Sequence, residues 1–185
     1  MFVGDSKTSP FSPFSNTWPQ SVCSAVSTAQ GGRPLTCAQH GTPGSTVMGW
    51  ASSITPTIDT HPTQQASVMV GVQLGVNDIY SGIGSETTWK LNYLAIIDAI
   101  ISRWPCAQVY LAYPWLRGYD SDAATAHGWI DDIIAARPGA AFAGPDEAVW
   151  LKGGDNGVTN TTDGIHISAA GQTAATAAWL AAMGY

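Results

Sequence analysis

The sequence predicts an α/β protein in which helices cover a parallel β-sheet. Short apolar runs alternate with longer helical patterns along the chain. The run from Ala66 to Leu74 is apolar almost throughout, as expected of a strand that is buried on both faces. With 185 residues the chain is large enough to bury a substantial core, and we expect one domain over residues 1–185.

The first forty residues predict two strands and one helix. Phe2-Val3 forms the end of a first strand, and a short second strand covers residues 35–39. The helix between them begins after an N-cap at Thr17, because Gln20 follows three residues later in a capping-box pattern. We expect this helix to run to about Gln30, since two glycines come next.

The second half of the chain predicts the remaining strands and helices. The clearest helix covers residues 89–104, with apolar side chains at spacings of three and four along one side. That apolar side consists of Leu91, Leu94, Ile97, Ile101 and Trp104. The other predicted elements are a strand over 107–113, a helix over 121–137 capped by Ser121 or Asp122, a strand starting over 140–143 and a helix over 168–183.

Composition and charge exclude several function classes. The net charge is −6, and only seven Lys and Arg residues are scattered along the chain, so we expect no nucleic-acid partner. No apolar run approaches the roughly 20 residues that cross a bilayer, so we expect no membrane insertion. Charged residues make up 11% of the chain, against about 25% on average, which favours a secreted or particle-associated protein.

The N-terminus and the cysteines leave two questions open. The first motif begins at Gly4, so we expect no signal peptide in this chain, and whether Met1 is the native start stays open. Cys23, Cys37 and Cys106 are odd in number, so at least one has no partner within the chain. We expect buried free thiols, and a Cys23–Cys37 disulfide is the alternative if the protein is exported.

Four short motifs supply the groups that acyl transfer through a serine needs. In chain order they are Gly4-Asp5-Ser6, residues 41–44 (Gly-Thr-Pro-Gly), residues 75–78 (Gly-Val-Asn-Asp) and residues 163–166 (Asp-Gly-Ile-His). Ser6 is the candidate nucleophile and His166 the base that removes its proton. Asp163, three residues earlier, can contact the other ring nitrogen and stabilise the imidazolium.

The same motifs provide donors for an oxyanion. Gly44 can offer a backbone N–H where a side chain would crowd the substrate, with Gly41 as the alternative donor. Asn77 can offer its side-chain amide from the end of the third strand, and the Ser6 N–H completes the set. Asp78 is expected to form structural hydrogen bonds rather than to act as an acid.

These motifs resemble the SGNH (GDSL-type) hydrolases, whose name is taken from the Ser, Gly, Asn and His of four motifs. Ser6, Gly44, Asn77 and His166 occupy the matching positions, and the match spans nearly the whole chain. The resemblance implies a flavodoxin-like, three-layer α/β/α sandwich with a five-stranded parallel sheet of order 2-1-3-4-5. It also implies ester hydrolysis without a cofactor or metal. Lys7 departs from the family, in which an apolar or aromatic residue usually follows the serine.

We therefore expect a serine ester hydrolase that acts on short-chain acyl esters. Tyr80, Trp115 and Trp150 follow strands or precede the last motif, so we expect them, with Lys7, to contact substrate. The alternative is that these aromatic side chains only pack the loops. Exposed aromatic side chains suit the apolar faces of sugar rings, which suggests an O-acetylated carbohydrate, and a small ester or a polysaccharide ester is the expected partner. The alternatives are an acyltransferase or thioesterase with the same triad, or a non-catalytic binding module. The oligomeric state cannot be inferred.

Overall fold

The computed structural model describes residues 1–11, 15–63 and 67–185, and within these ranges five strands form one parallel sheet. The strand order is β2-β1-β3-β4-β5, as predicted. The strands are β1 (Phe2–Gly4), β2 (Gln39–Gly41), β3 (Val68–Gln73), β4 (Ala107–Tyr113) and β5 (Ala141–Asp146). The helices are α1 (Trp18–Ala29), α2 (Val47–Ile58), α3 (Val76–Tyr80), α4 (Glu86–Arg103), α5 (Asp120–Ala136), α6 (Glu147–Trp150) and α7 (Ala169–Ala182), with a 3-10 turn at Gly153–Asp155.

The helices form a layer on each face of the sheet. Val3 belongs to the core beneath α2, α4 and α5, whereas the adjacent Phe2 belongs to the core beneath α1 and α7. In the second core the rings of Trp18 and Trp179 stack with centroids 5.4 Å apart, and Phe2 meets both edge to face. The chain therefore forms the predicted three-layer α/β/α sandwich.

The second strand lies later than predicted. It covers Gln39–Gly41 instead of 35–39, and Leu35 is 42% exposed. The length of β2 follows from that of β1, because the parallel register pairs the three residues of β1 with three residues of β2, from Phe2 with Gln39 to Gly4 with Gly41. The predicted third strand began at Ala66, which lies outside the described residues, and the observed strand starts at Val68.

Two helices differ from their predictions in the side chains that they bury or use as caps. On α4 the buried residues are Trp89, Tyr93, Ile96, Ile97 and Ile100. Leu91 is 62% exposed, because the buried face is rotated around the helix from the predicted one, and of the α4 residues only Ile97 belongs to both. At α5 the cap position is Tyr119, without a side-chain bond, and not Ser121 or Asp122.

The start of α1 also differs from its prediction. Thr17 stands at the cap position, but its side chain forms no cap hydrogen bond. Instead, the side-chain oxygen of Gln172 on α7 accepts from the N–H groups of Thr17 (3.1 Å) and Trp18 (3.0 Å). A residue that is distant in sequence thus satisfies the free helix donors.

Two cysteines form a disulfide, which corrects the expectation of free thiols. Cys23 on α1 is bonded to Cys37, which shortly precedes β2, and their Cα atoms lie 6.0 Å apart. Cys106, before β4, is an exposed free thiol and not a buried one. Within the three described ranges, no helix is both long and apolar enough to cross a membrane.

Candidate active site

Ser6 lies in a tight turn directly after the central strand β1. The Lys7 N–H donates to the Asp5 side chain (2.9 Å), and the Thr8 N–H donates to the Asp5 carbonyl (3.1 Å). A Cβ on Gly4 would lie 2.5 Å from the Gln73 carbonyl oxygen, so no side chain fits at this position. The turn therefore places Ser6 at the carboxyl end of the sheet, where ligands of such folds bind.

The Asp163 carboxylate both shapes its own loop and contacts His166. One oxygen accepts from the backbone N–H groups of Ile165 (3.0 Å) and His166 (2.8 Å). The other oxygen lies 2.6 Å from Nδ1 of His166. Partial burial would raise the pKa of Asp163, but these hydrogen bonds outweigh it and keep the pKa below its usual value. A carboxylate in this position fixes the orientation of the imidazole ring.

The two other predicted donors come from the loop after β2 and from α3. Gly44 has a φ of +76°, a conformation that favours glycine. The side-chain amide of Asn77 donates to the Ser45 carbonyl (2.9 Å), which ties α3 to the Gly44 loop and leaves a second amide hydrogen. Asn77 lies in the first turn of α3 rather than at the end of a strand.

The backbone donors next to this site are available for a ligand. Throughout the part of the chain that the structure describes, the N–H groups of Ser6 and Gly44 donate to no protein acceptor. Buried backbone N–H groups are almost always paired in folded proteins. Ser6 is only 4% exposed and lines the adjacent cleft, so its N–H is an unpaired donor beside that cleft.

The cleft has a volume of about 220 Å³ and brings the predicted residues together. Its lining combines the polar groups above with apolar side chains from the loops after β2, β3 and β4. The lining residues are Ser6, Pro43, Gly44, Val76, Asn77, Tyr80, Leu116, Ile165 and His166. Among the expected substrate contacts, only Tyr80 lies here, and it is 64% exposed.

Three of the expected substrate contacts are wrong. Lys7 and Trp115 are each 1% exposed, and Trp150 is 8% exposed, and none of them lines the cleft. The Trp115 indole N–H donates to Asp120 (2.9 Å), so this ring packs beneath the loops instead of facing substrate. These residues do follow the ends of strands, as predicted, but their side chains are buried in the protein.

Lys7 belongs to a buried polar network that the sequence did not reveal. Its ammonium group pairs with Glu147, which is 0% exposed. Glu147 also accepts from the Gln73 side chain (2.7 Å) and from the Trp115 backbone N–H (2.9 Å). These contacts join the ends of β1, β3, β4 and β5 beneath Ser6. The one indication in the sequence was Lys7 itself, at a position where the family usually has an apolar or aromatic residue. A lysine that is buried at such a position requires a partner of opposite charge.

Two further carboxyl groups near the site have raised pKa values. Burial raises the pKa of Asp5 to about 6, although the Lys7 charge and N–H act in the opposite direction. Burial likewise raises the pKa of Asp78 to about 6, although its carboxylate accepts from the Val47 N–H at the start of α2 (3.1 Å). Asp78 thus forms the structural hydrogen bonds that were expected of it.

The described ranges hold no group of three or more His, Cys, Asp or Glu residues that could bind a metal ion. The cleft offers one histidine, and its Nδ1 is engaged by Asp163. The cleft lining supplies a hydroxyl, an imidazole and hydrogen-bond donors.

Known proteins show the same fold. A sequence profile of the GDSL-like lipase/acylhydrolase family matches residues 2–174. Among curated proteins, none matches this sequence. The crystal structure of TesA is 17% identical, with a TM-score of 0.76, and the match covers 99% of this chain and 96% of that one.

Two carbohydrate esterases are also similar in structure. The family 3 carbohydrate esterase from Talaromyces cellulolyticus is 17% identical, with a TM-score of 0.72 over 96% of this chain and 91% of its own. The family 3 carbohydrate esterase from Clostridium thermocellum is 19% identical, with a TM-score of 0.69 over 99% and 93% of the two chains. At these identities the likeness establishes the fold, and function has to be argued from the site.

Proposed function

The chain belongs to the GDSL-like lipase/acylhydrolase family and is a carboxylic ester hydrolase, and we propose that it cleaves short-chain acyl esters through an acyl-enzyme on Ser6. The observation that carries this proposal is the convergence of Ser6, Gly44, Asn77 and His166 on one cleft. The contact between Asp163 and His166 supplies the orientation that a catalytic base needs.

In the first half-reaction Ser6 Oγ attacks the ester carbonyl carbon while His166 Nε2 takes the hydroxyl proton. The carbonyl oxygen becomes an oxyanion, which accepts from the N–H groups of Ser6 and Gly44 and from the Asn77 amide. Asp163 stabilises the imidazolium that forms. When the tetrahedral intermediate collapses, the bond to the alcohol oxygen breaks and His166 gives its proton to the leaving alcohol.

In the second half-reaction water replaces the alcohol. His166 takes a proton from water, the resulting hydroxide attacks the acyl carbon, and the carboxylic acid leaves as Ser6 regains its proton. The side chain of His166 is 30% exposed and that of Asp163 is 50% exposed. Because water reaches the base directly, this site favours hydrolysis over transfer of the acyl group to another acceptor.

The size of the cleft supports a short acyl group. Val76 and Leu116 are 1% and 2% exposed, so their positions are fixed by packing on both sides. A volume of about 220 Å³ lies below the roughly 300–1,000 Å³ of pockets that enclose drug-sized ligands. We propose an acetyl group, and an acetylated carbohydrate as the ester, because two neighbours of similar fold are described as carbohydrate esterases.

Hydrolysis of p-nitrophenyl acetate, butyrate and octanoate by the wild type and by Ser6→Ala tests this proposal. We expect activity that falls with chain length and is lost in Ser6→Ala, together with acetate release from acetylated xylan. The Ser6→Ala protein must melt like the wild type, which controls for misfolding. Undiminished turnover in Ser6→Ala would contradict the proposal, and ligand binding without turnover in a folded wild type would instead favour a non-catalytic binding module.

A further inference from the structure

Two exposed tyrosines stand side by side at the mouth of the cleft. Tyr80, the last residue of α3, is 64% exposed, and Tyr119, directly before α5, is 37% exposed. Their ring centroids lie 6.3 Å apart, with 53° between the ring planes. This separation is within the range of aromatic contact, so the two rings form one continuous surface, which we call the tyrosine platform.

The backbone of each tyrosine is anchored to the wall of the cleft. Tyr80 ends the five-residue helix that carries Asn77, and Tyr80 itself lines the cleft. The Tyr119 N–H donates to the carbonyl of Leu116 (3.0 Å), which is another lining residue. These contacts anchor the backbone of both tyrosines beside the cleft that Ser6 lines.

We propose that the tyrosine platform binds the alcohol half of the ester and that this alcohol is a pyranose sugar. The inference deepens the proposed function and rests on it. The acyl group enters the small cleft beside Ser6, so the ester oxygen and the group attached to it emerge at the mouth. Tyr80 belongs to the cleft and to the platform alike, so the emerging group meets its ring first.

The exposure of the platform favours a sugar over a lipid chain. A pyranose has C–H bonds on one face and hydroxyl groups around its edge, so it can cover a ring while its edge stays in water. An alkyl chain on so open a surface would keep much of its area in water, and the apolar contact would gain little. Tyrosine also presents a rigid apolar face with a hydroxyl at its end, which suits a ligand of mixed polarity.

Matched acetate esters that differ only in the alcohol provide the test. The substrates are ethyl acetate, xylose tetraacetate and glucose pentaacetate, with released acetic acid titrated at constant pH. For Tyr80→Ala and for Tyr119→Ala we expect the ratio of kcat/KM on the sugar acetates to that on ethyl acetate to fall about 10-fold, mainly through KM. Tyr80→Phe and Tyr119→Phe keep the ring and should retain most of the wild-type ratio.

Tyr185→Ala is the matched control. Tyr185 is also exposed (44%), but it lies at the end of the chain, where its hydroxyl accepts from Gln30. This variant should leave the ratio unchanged. A ratio that stays constant in both platform variants, or a loss that appears instead on p-nitrophenyl octanoate relative to the acetate, would overturn the proposal.

A second measurement separates this inference from the proposed function. If the folded wild type hydrolyses neither ethyl acetate nor the sugar acetates, the hydrolase proposal fails, and the sugar-binding proposal is still open to test. Calorimetry of xylose tetraacetate and glucose pentaacetate binding to Ser6→Ala then tests whether the tyrosine platform binds a sugar. Binding that weakens when Tyr80 or Tyr119 is also changed to alanine would support the platform, and no binding would overturn it.

Discussion

At the residue scale, the arrangement of Asp163 explains how one exposed loop can hold the His166 ring in place. Its two oxygens have separate tasks, since one accepts from two backbone N–H groups and the other contacts the His166 ring. The loop and the ring are thus fixed by the same side chain. This division is possible because the two positions are three residues apart in the sequence.

Replacing Asp163 by asparagine should leave the loop in place and damage catalysis. The carbonyl oxygen of the new amide can still accept one set of hydrogen bonds, but the side chain carries no charge to stabilise the imidazolium. We expect kcat on p-nitrophenyl acetate to fall about 10²–10⁴-fold, with little change in the melting temperature. An activity within threefold of the wild type would show that His166 acts without this partner.

Asp78 gives a pH-dependent prediction. Its pKa is about 6 in the folded protein, against an ordinary value of 3.8, so the folded state holds the proton longer as the pH rises. As the pH rises from about 4 to about 6, Asp78 therefore lowers the free energy of unfolding progressively. Above about pH 6 its contribution stays constant. Relative to the wild type, Asp78→Asn should gain up to about 3 kcal/mol of unfolding free energy from pH 4 to pH 7. Urea denaturation at both pH values measures this gain, and a difference that does not change with pH would refute it.

Sequence reasoning at this scale selected the residues that line the cleft and misplaced most of the expected substrate contacts. Ser6, Gly44, Asn77 and His166 were identified from motifs, in which backbone turns and chemistry constrain the residue type together. Lys7 and Trp115 carry no such constraint, and whether their side chains point inward depends on distant partners such as Glu147. Spacing along the chain cannot report contacts between residues 140 positions apart.

At the element scale, the distinctive feature is a three-residue central strand whose end is tied to its neighbours by a buried ion pair. β1 pairs with β2 on one side and with β3 on the other. Glu147, at the start of α6, accepts from groups that follow or end β1, β3 and β4. The network thereby compensates for the small number of ladder hydrogen bonds that so short a strand can make.

Breaking this ion pair should cost more than removing it as a whole. We expect Lys7→Met and Glu147→Gln each to lower the unfolding free energy by about 3–5 kcal/mol, because each leaves a buried charge without its partner. The double variant should lose less than either single variant, because it leaves neither charge buried without a partner. Chemical denaturation of the four proteins gives the coupling energy, and additive losses would mean that the two charges do not stabilise each other.

The elements that the sequence missed or misplaced have different physical causes. α2 contains Pro56 and several Ser and Thr residues, which disguise the spacing of its buried residues Trp50, Ile54 and Ile58. The position of β2 depends on its register with β1, which is a long-range property. The strands β3 and β4 were predicted well because both faces are buried, so their apolar composition alone identifies them.

At the scale of the whole molecule, the disulfide fastens one helix layer to the edge of the sheet. Cys23 lies on α1, and Cys37 lies two residues before β2, which is the edge strand next to β1. The motifs predicted the fold through a family resemblance, and the strand order confirms it. The disulfide itself could not be decided from three cysteines, since their pairing depends on which segments the fold brings together.

Removing the disulfide should destabilise the protein without altering the cleft. For a cross-link with a sequence separation of 14, we expect Cys23→Ser/Cys37→Ser to lose about 3 kcal/mol of unfolding free energy. Cys106→Ser changes an exposed free thiol and is the matched control, expected to stay within about 0.5 kcal/mol of the wild type. If the double variant unfolds at the same urea concentration as the control, the bond contributes nothing to stability.

The central claim is that Ser6 is the nucleophile, and covalent labelling tests it most directly. A fluorophosphonate should react with the folded protein as the bond from Ser6 Oγ to phosphorus forms and fluoride leaves, with His166 taking the proton. Peptide mass spectrometry should then find one adduct, on Ser6, at a stoichiometry that matches the loss of esterase activity, and none in Ser6→Ala. An adduct on another residue, or ester hydrolysis that survives complete labelling of Ser6, would contradict the account.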